Sequence, residues 1–166
     1  MKKKIVIIVI ALVVLIGILI GVIALNNKKD IKYGKNAFYL EEELYDANSN
    51  YEDISLSKLN KLIDNKKSFV IFTYTSFCPF QTPSDQIFKA VFKDNKMKLY
   101  AIGYDKLVDT NIVDTIKYAP SVVIFKEGEI VAYLDANSDE DYDRYQKEDA
   151  FEKWLSKYIY LTKQEK

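Results

Sequence analysis

Ile5 to Leu25 is an unbroken run of 21 residues containing no charge, no Asn or Gln and no Pro. As a helix it would be about 30 Å long, enough to cross the hydrocarbon core of a bilayer. The competing reading is a cleaved signal peptide, since Lys2, Lys3 and Lys4 make a positive n-region and Val22-Ile23-Ala24 is a tolerable cleavage site. Signal h-regions are only about 7–15 residues long, and no Cys follows this run to serve as a lipoprotein anchor. The sequence therefore favours an uncleaved anchor over a signal. Charge orients it poorly, because Lys28, Lys29, Lys32 and Lys35 on one side, offset by Asp30, nearly balance the three lysines on the other. A short tail before a first helix and a whole domain after it is most simply an inside N-terminus with the domain exported. Gly17 and Gly21 form a GxxxG pair, which in so apolar a run is more often incidental than a helix-pairing face.

The remaining chemistry is bounded by what is missing. There is no histidine and one cysteine, Cys78. That excludes the usual Ser-His-Asp and Cys-His pairs, an HExxH site and an imidazole base. It also excludes an intramolecular disulfide and an ordinary zinc cluster, and no metal and no cofactor are expected. The formal charge of zero divides unequally, since without Lys2, Lys3 and Lys4 the rest of the chain holds 21 basic and 24 acidic residues. With Arg144 as the only guanidinium and no basic stripe, nucleic acid is not an expected partner.

Residues 1–4 are then a tail, 5–25 the anchor, 26–50 a stalk, 51–163 a folded domain and 164–166 a C-terminal tail. In the stalk, Asn26 to Asp30 is polar, Gly34 interrupts, and Ala47-Asn48-Ser49-Asn50 is turn-like. Phe38 to Tyr45 fits a short helix or a strand docking on the domain, and periodicity does not separate the two.

The domain pattern is regular. Ser55 or Ser57 caps a helix carrying Leu56, Leu59, Leu62 and Ile63, ended by Asn65-Lys66-Lys67. Ser68 to Thr75 is a β-branched and aromatic run apolar on both faces, as a central strand requires. After Ser76 to Gln81 comes a helix with Ile87, Phe88, Val91 and Phe92, then a strand from Lys98 to Tyr104 and a helix with Leu107, Val108, Ile112, Val113 and Ile116. Tyr118-Ala119-Pro120 interrupts. Ser121 to Phe125 and Ile130 to Leu134 form a hairpin turning at Lys126 to Glu129. An acidic stretch from Asn137 to Asp149 precedes a closing helix with Phe151, Trp154, Leu155, Tyr158 and Ile159 on one face. The expected class is α/β, a mixed central sheet flanked by helices, preceded by one transmembrane helix.

A strand, a Cys at the first turn of the next helix, a Pro opening a later strand and a K-x-G-E hairpin, in this order, resemble the thioredoxin-like fold over residues 51–163. Phe77-Cys78-Pro79-Phe80-Gln81 falls where that family carries its aromatic-C-x-x-C motif, and Tyr118-Ala119-Pro120-Ser121 where it carries its cis-proline loop. The Cys-Pro-aromatic start, the helix before the first long strand and the anchor loosely resemble the membrane-anchored bacteriocin transport accessory proteins of the bacterial envelope. The resemblance implies Cys78 as candidate thiol, with Phe77, Pro79, Gln81, Ala119 and Pro120 around a partner peptide, and a cis bond at Pro120. Gln81 stands where the family has its resolving cysteine, and Phe72 where true thioredoxins hold a buried carboxylate.

Both departures remove the same half-reaction, so a mixed disulfide on Cys78 would await an outside thiol. Helix N-terminal placement would favour the thiolate, with Pro79 at no cost in the first helical position. Without that context a lone Cys is often a small buried hydrophobe. Two functions follow as expectations. The first is a non-catalytic adaptor that binds exported or membrane proteins at the cell membrane from the extracytoplasmic side. The alternative is a monothiol thiol-disulfide oxidoreductase that forms mixed disulfides with them. Asp139-Glu140-Asp141-Tyr142-Asp143 reads first as a solvated loop, one that should overhang the site because it follows the last strand.

Overall fold

The structure, a computed structural model, describes residues 31–47, 50–75 and 83–164. The expected anchor, Ile5 to Leu25, lies outside them. Among the described residues no helix is long and apolar enough to cross a membrane.

Five strands form one sheet: β1 (Tyr51–Asp53), β2 (Phe69–Tyr74), β3 (Leu99–Gly103), β4 (Ser121–Lys126) and β5 (Glu129–Tyr133). Their spatial order is β1-β3-β2-β4-β5. The first three are parallel, with Ile71 beside Tyr100 and Tyr51 beside Leu99. β4 runs antiparallel to β2, with Phe69 opposite Phe125 and Thr73 opposite Ser121, and β5 is antiparallel to β4. β2 is central and fully buried from Phe69 to Thr73, which is why its sequence is apolar at both parities. The hairpin closes in two residues, Glu127 and Gly128, both at positive φ, the pairing that matches strand twist. Gly128 is required there twice over, since a Cβ would meet the Ile63 carbonyl oxygen at 2.5 Å.

Register divides the sheet into two faces. Phe69, Ile71, Tyr100 and Phe125 share one, where Phe69 and Phe125 stack at 4.6 Å. Helix α1 (Leu56–Asp64) lies on this face, with the Lys58 ammonium over the Tyr100 ring. Its start is capped as anticipated, Ser55 accepting a hydrogen bond from the Lys58 amide. Phe72 faces the other way, against Phe88 of α2 (Ser84–Asp94) at 5.4 Å. Phe88 in turn meets Phe151 of the closing helix at 4.5 Å. Between β3 and β4 the expected single helix is two short pieces, a 3-10 turn at Tyr104–Leu107 and α3 (Ile112–Thr115).

Three further expectations need correction. β1 was not anticipated, because three residues, Tyr51-Glu52-Asp53, are too few and too charged for an alternation to register. Its charge has a use at this edge: Glu52 pairs with Lys58 of α1 and with Lys98 just before β3. Hydrogen bonding to Lys58, reinforced by Lys98, holds its carboxyl below the ordinary range. Second, the acidic stretch is not simply a solvated loop. It contains α4 (Tyr142–Gln146), which packs on α2 and on α5 (Glu148–Leu155), with Asp141 and Tyr145 buried.

The third correction concerns the stalk. From Lys32 onward the chain belongs to one compact unit. The Gly34 amide donates to the Ser156 carbonyl, Phe38 forms a bridge with Ile159, and Tyr45 forms one with Met97. Phe38 to Tyr45 is thus neither helix nor strand but a strap with a 3-10 turn at Glu42–Leu44. Its apolar residues explain the docking: Leu40, Leu44 and Tyr45 are buried. The Tyr45 hydroxyl donates to the Tyr160 carbonyl at 2.8 Å, and burial pushes its pKa up to about 12.

Leu44→Ala should therefore destabilise the protein by about 2–5 kcal/mol, as for a buried leucine. Denaturant unfolding checks this, and a change within about 0.5 kcal/mol, expected of an exposed stalk position, would contradict the strap.

Candidate functional site

The end of the sheet where β2 finishes is also where β4 begins. The register that pairs Thr73 with Ser121 brings the end of β2 beside the start of β4, which residues 119 and 120 immediately precede. Cys78, Phe77, Pro79 and Gln81 follow in segment 76–82 and lie outside the described residues, as does the reading of Pro79 as a first helical position. The described part of α2 starts at Ser84, with Pro83 before it. Ala119 and Pro120 are described, and the peptide bond between them is cis.

The Pro120 loop is held by side chains from four directions. The Tyr145 hydroxyl of α4 donates to the Pro120 carbonyl at 2.8 Å. Thr73 donates to the Ser121 carbonyl, and the Ser121 hydroxyl donates to the Leu134 carbonyl at 2.6 Å. On the approach, the Tyr104 hydroxyl donates to the Ile116 carbonyl at 2.9 Å. Thr73, Ser121 and Tyr145 are fully buried, so the bonds made by these three hydroxyls satisfy groups that water does not reach. The tip is different. Tyr118 is 51% exposed, Ala119 is half-buried, Pro120 is buried, and no described residue pairs with the Ala119 backbone. A base held by buried hydrogen bonds thus carries a tip whose Ala119 backbone is unpaired among the described residues.

Tyr145 is the residue that sequence reasoning missed. It sits among Asp141, Asp143, Arg144 and Lys147, where charge masks a single buried ring. The signal was present as a spacing, since Tyr145 and Phe151 frame the turn between α4 and α5 and both rings meet Phe88. The start of this segment is also pinned. Asp141 accepts from the Asp135 amide at 2.7 Å and is ion-paired with Arg144. The segment after β5 does reach the loop, as its position after the last strand predicted.

Beyond Tyr74 lies a cavity of about 410 Å³ between β1, β2 and the first turn of α2, lined by Tyr51, Asp53, Tyr74, Ser84, Asp85 and Lys89. The Tyr74 hydroxyl donates to Asp53, which raises the Tyr74 pKa. Lys89 pairs with Asp85 and lies 4.2 Å from the Tyr51 ring centroid. Burial, then the nearby Asp53, push the Tyr51 pKa well up, so both phenols stay neutral at physiological pH. Phe72, where a thioredoxin's buried carboxylate would stand, is 3% exposed and packs on Phe88. Nothing at that position moves a proton. Among the described residues no three His, Cys, Asp or Glu are placed to hold a metal.

No protein-family model matches the chain. Solved structures with a similar backbone include Trxlp from Edwardsiella tarda, at 10% identity and TM-score 0.47, covering 64% of this chain and 99% of that one. Thioredoxin O2 from Arabidopsis thaliana in its oxidised state is similar at 14% identity and TM-score 0.45, covering 67% and 98%. A thioredoxin mutant of Entamoeba histolytica is similar at 17% identity and TM-score 0.42, covering 58% and 96%. The fold is thioredoxin-like. That statement rests on the chain's own layout: the β1-β3-β2-β4-β5 order, three parallel strands, an antiparallel pair and a cis-proline opening β4. Likenesses this distant say nothing of activity.

Tyr145→Phe should leave the Pro120 carbonyl buried and unpaired, costing about 1–3 kcal/mol, and should speed amide exchange in the Pro120 loop more than in β2. Exchange measured by NMR checks this. Unchanged stability and exchange would mean that α4 does not hold the loop.

Proposed function

We propose that the protein is a membrane-anchored, extracytoplasmic thioredoxin-like binding module that docks extended segments of exported or membrane proteins on the edge at Ala119 and Pro120. The observation that carries this reading is the contrast in that loop: buried side chains fix its base, while its tip carries the exposed Tyr118 and the half-buried Ala119, whose backbone no described residue pairs. An extended peptide laid there would exchange main-chain hydrogen bonds with a preformed edge, as strand-addition binders do. Anchoring by Ile5 to Leu25 follows from the length of the apolar run.

The cysteine does not favour turnover. With one thiol in the chain and Phe72 in place of a proton-moving carboxylate, a mixed disulfide has no internal route of release. The monothiol reading stays distinct, because it alone makes capture depend on Cys78.

A photo-crosslinking residue at position 118 should give adducts with envelope proteins in intact cells, and the same residue at Lys93, exposed on α2, should not. Adducts equal at both positions would defeat the binding reading. Adducts at position 118 that vanish with Cys78→Ser would favour the monothiol alternative.

A further inference from the structure

The opposite end of the sheet carries a second surface. Residues 41–45 of the strap close the N-terminal ends of β2 and β3: the Glu41 amide donates to the Ser68 carbonyl, and the Lys98 amide donates to the Leu44 carbonyl. Tyr33 and Tyr39 of the strap gather on Tyr160, at 4.9 and 4.4 Å between ring centroids. Tyr39 is 38% exposed, and Tyr33 and Tyr160 are half-buried.

Exposed lysines lie next to these residues in the chain and at the end of α5. Lys32 and Lys35 are exposed on the strap, and residues 31–40 hold no carboxylate. Gly34 lies so close to the end of α5 that a Cβ would meet the Lys157 carbonyl oxygen at 2.1 Å, which puts the exposed Lys157 beside Lys35. The carboxylates that follow in the strap are Glu41, paired with Lys67, Glu42, paired with Lys163, and the exposed Glu43.

We infer that this tyrosine and lysine face rests on an anionic lipid surface. Tyrosine rings with an apolar body and a polar tip favour the headgroup level, and clustered lysines add attraction to anionic lipids. Lipid is the occupant the sequence supplies, because only residues 26–31 separate Lys32 from the apolar run ending at Leu25. At about 3.3–3.6 Å per residue that tether reaches no more than roughly 25 Å. The inference rests on the anchor in the proposed function and adds a direction to it. With Tyr33, Tyr39 and Tyr160 against headgroups, the Pro120 loop, at the other end of the strands, points into the aqueous space.

The test uses the full chain carrying Cys78→Ser and a single fluorescent label at Asn36→Cys on the strap or at Val108→Cys at the loop end. It is reconstituted into vesicles whose headgroups carry a quencher. In phosphatidylglycerol-containing vesicles the label at position 36 should be quenched severalfold more than that at 108. The difference should shrink in phosphatidylcholine alone, with Lys32→Glu plus Lys157→Glu, and in about 1 M salt, where screening falls to about 3 Å. Equal quenching at both positions, or indifference to lipid charge, would overturn the inference. Burial of the label at position 36 that follows protein density instead of lipid charge would mark a second copy on this face, and would overturn it too. Alkaline extraction reads the anchor separately: a chain that is extracted, yet still shows charge-dependent quenching at position 36, would overturn the anchor and uphold the lipid-facing surface.

Discussion

Everything at the candidate site depends on the burial of β2. Phe69 to Thr73 is shielded on both faces, so its backbone has to be paired along both edges, by β3 on one side and β4 on the other. The antiparallel partner is what brings the start of β4, and so the Pro120 loop, to the end of β2 from which the chain runs on toward Cys78. A parallel strand in β4's place would start at the far end of the sheet. The hydroxyls of Thr73 and Ser121 fit the same constraint. They are polar groups in a water-free layer, and each is matched to a carbonyl of the loop or of the strand end beside it.

Much of this could be read in the sequence because burial leaves period and composition behind. The unbroken Phe69 to Tyr74 run, the Ile87, Phe88, Val91 and Phe92 set, and the Glu127-Gly128 turn each follow from local rules, and the structure places them where those rules do. β1 was not legible, because three residues on a charged edge carry no alternation. The strap lies in a segment that reads as a stalk because its polar flanks, Asn26 to Asp30 and Ala47 to Asn50, dominate its composition, although the apolar residues of Phe38 to Tyr45 already mark it as docking. What ties it down is long-range: the Tyr45 hydroxyl on Tyr160, the Gly34 amide on Ser156, Phe38 beside Ile159.

The site was legible in a different way. Ala119 and Pro120 came from a motif resemblance, and the structure gives their neighbourhood physical content. Tyr145 had no such motif. Its role arises only when α4 folds back over the sheet end, with Asp141 tying the Asp135 amide and Arg144 together at its start. An acidic segment that looks like a solvent loop in the sequence therefore serves as a brace for the Pro120 loop.

The central claim is that binding belongs to this braced edge and does not need the thiol. The most direct measurement is the set of envelope proteins that co-purify with the full chain from detergent-solubilised membranes, compared among the natural chain, Cys78→Ser and Pro120→Ala, with circular dichroism to confirm that each variant is folded. The account predicts that Cys78→Ser retains the natural set and that folded Pro120→Ala loses most of it. Loss with Cys78→Ser and retention with Pro120→Ala would contradict it.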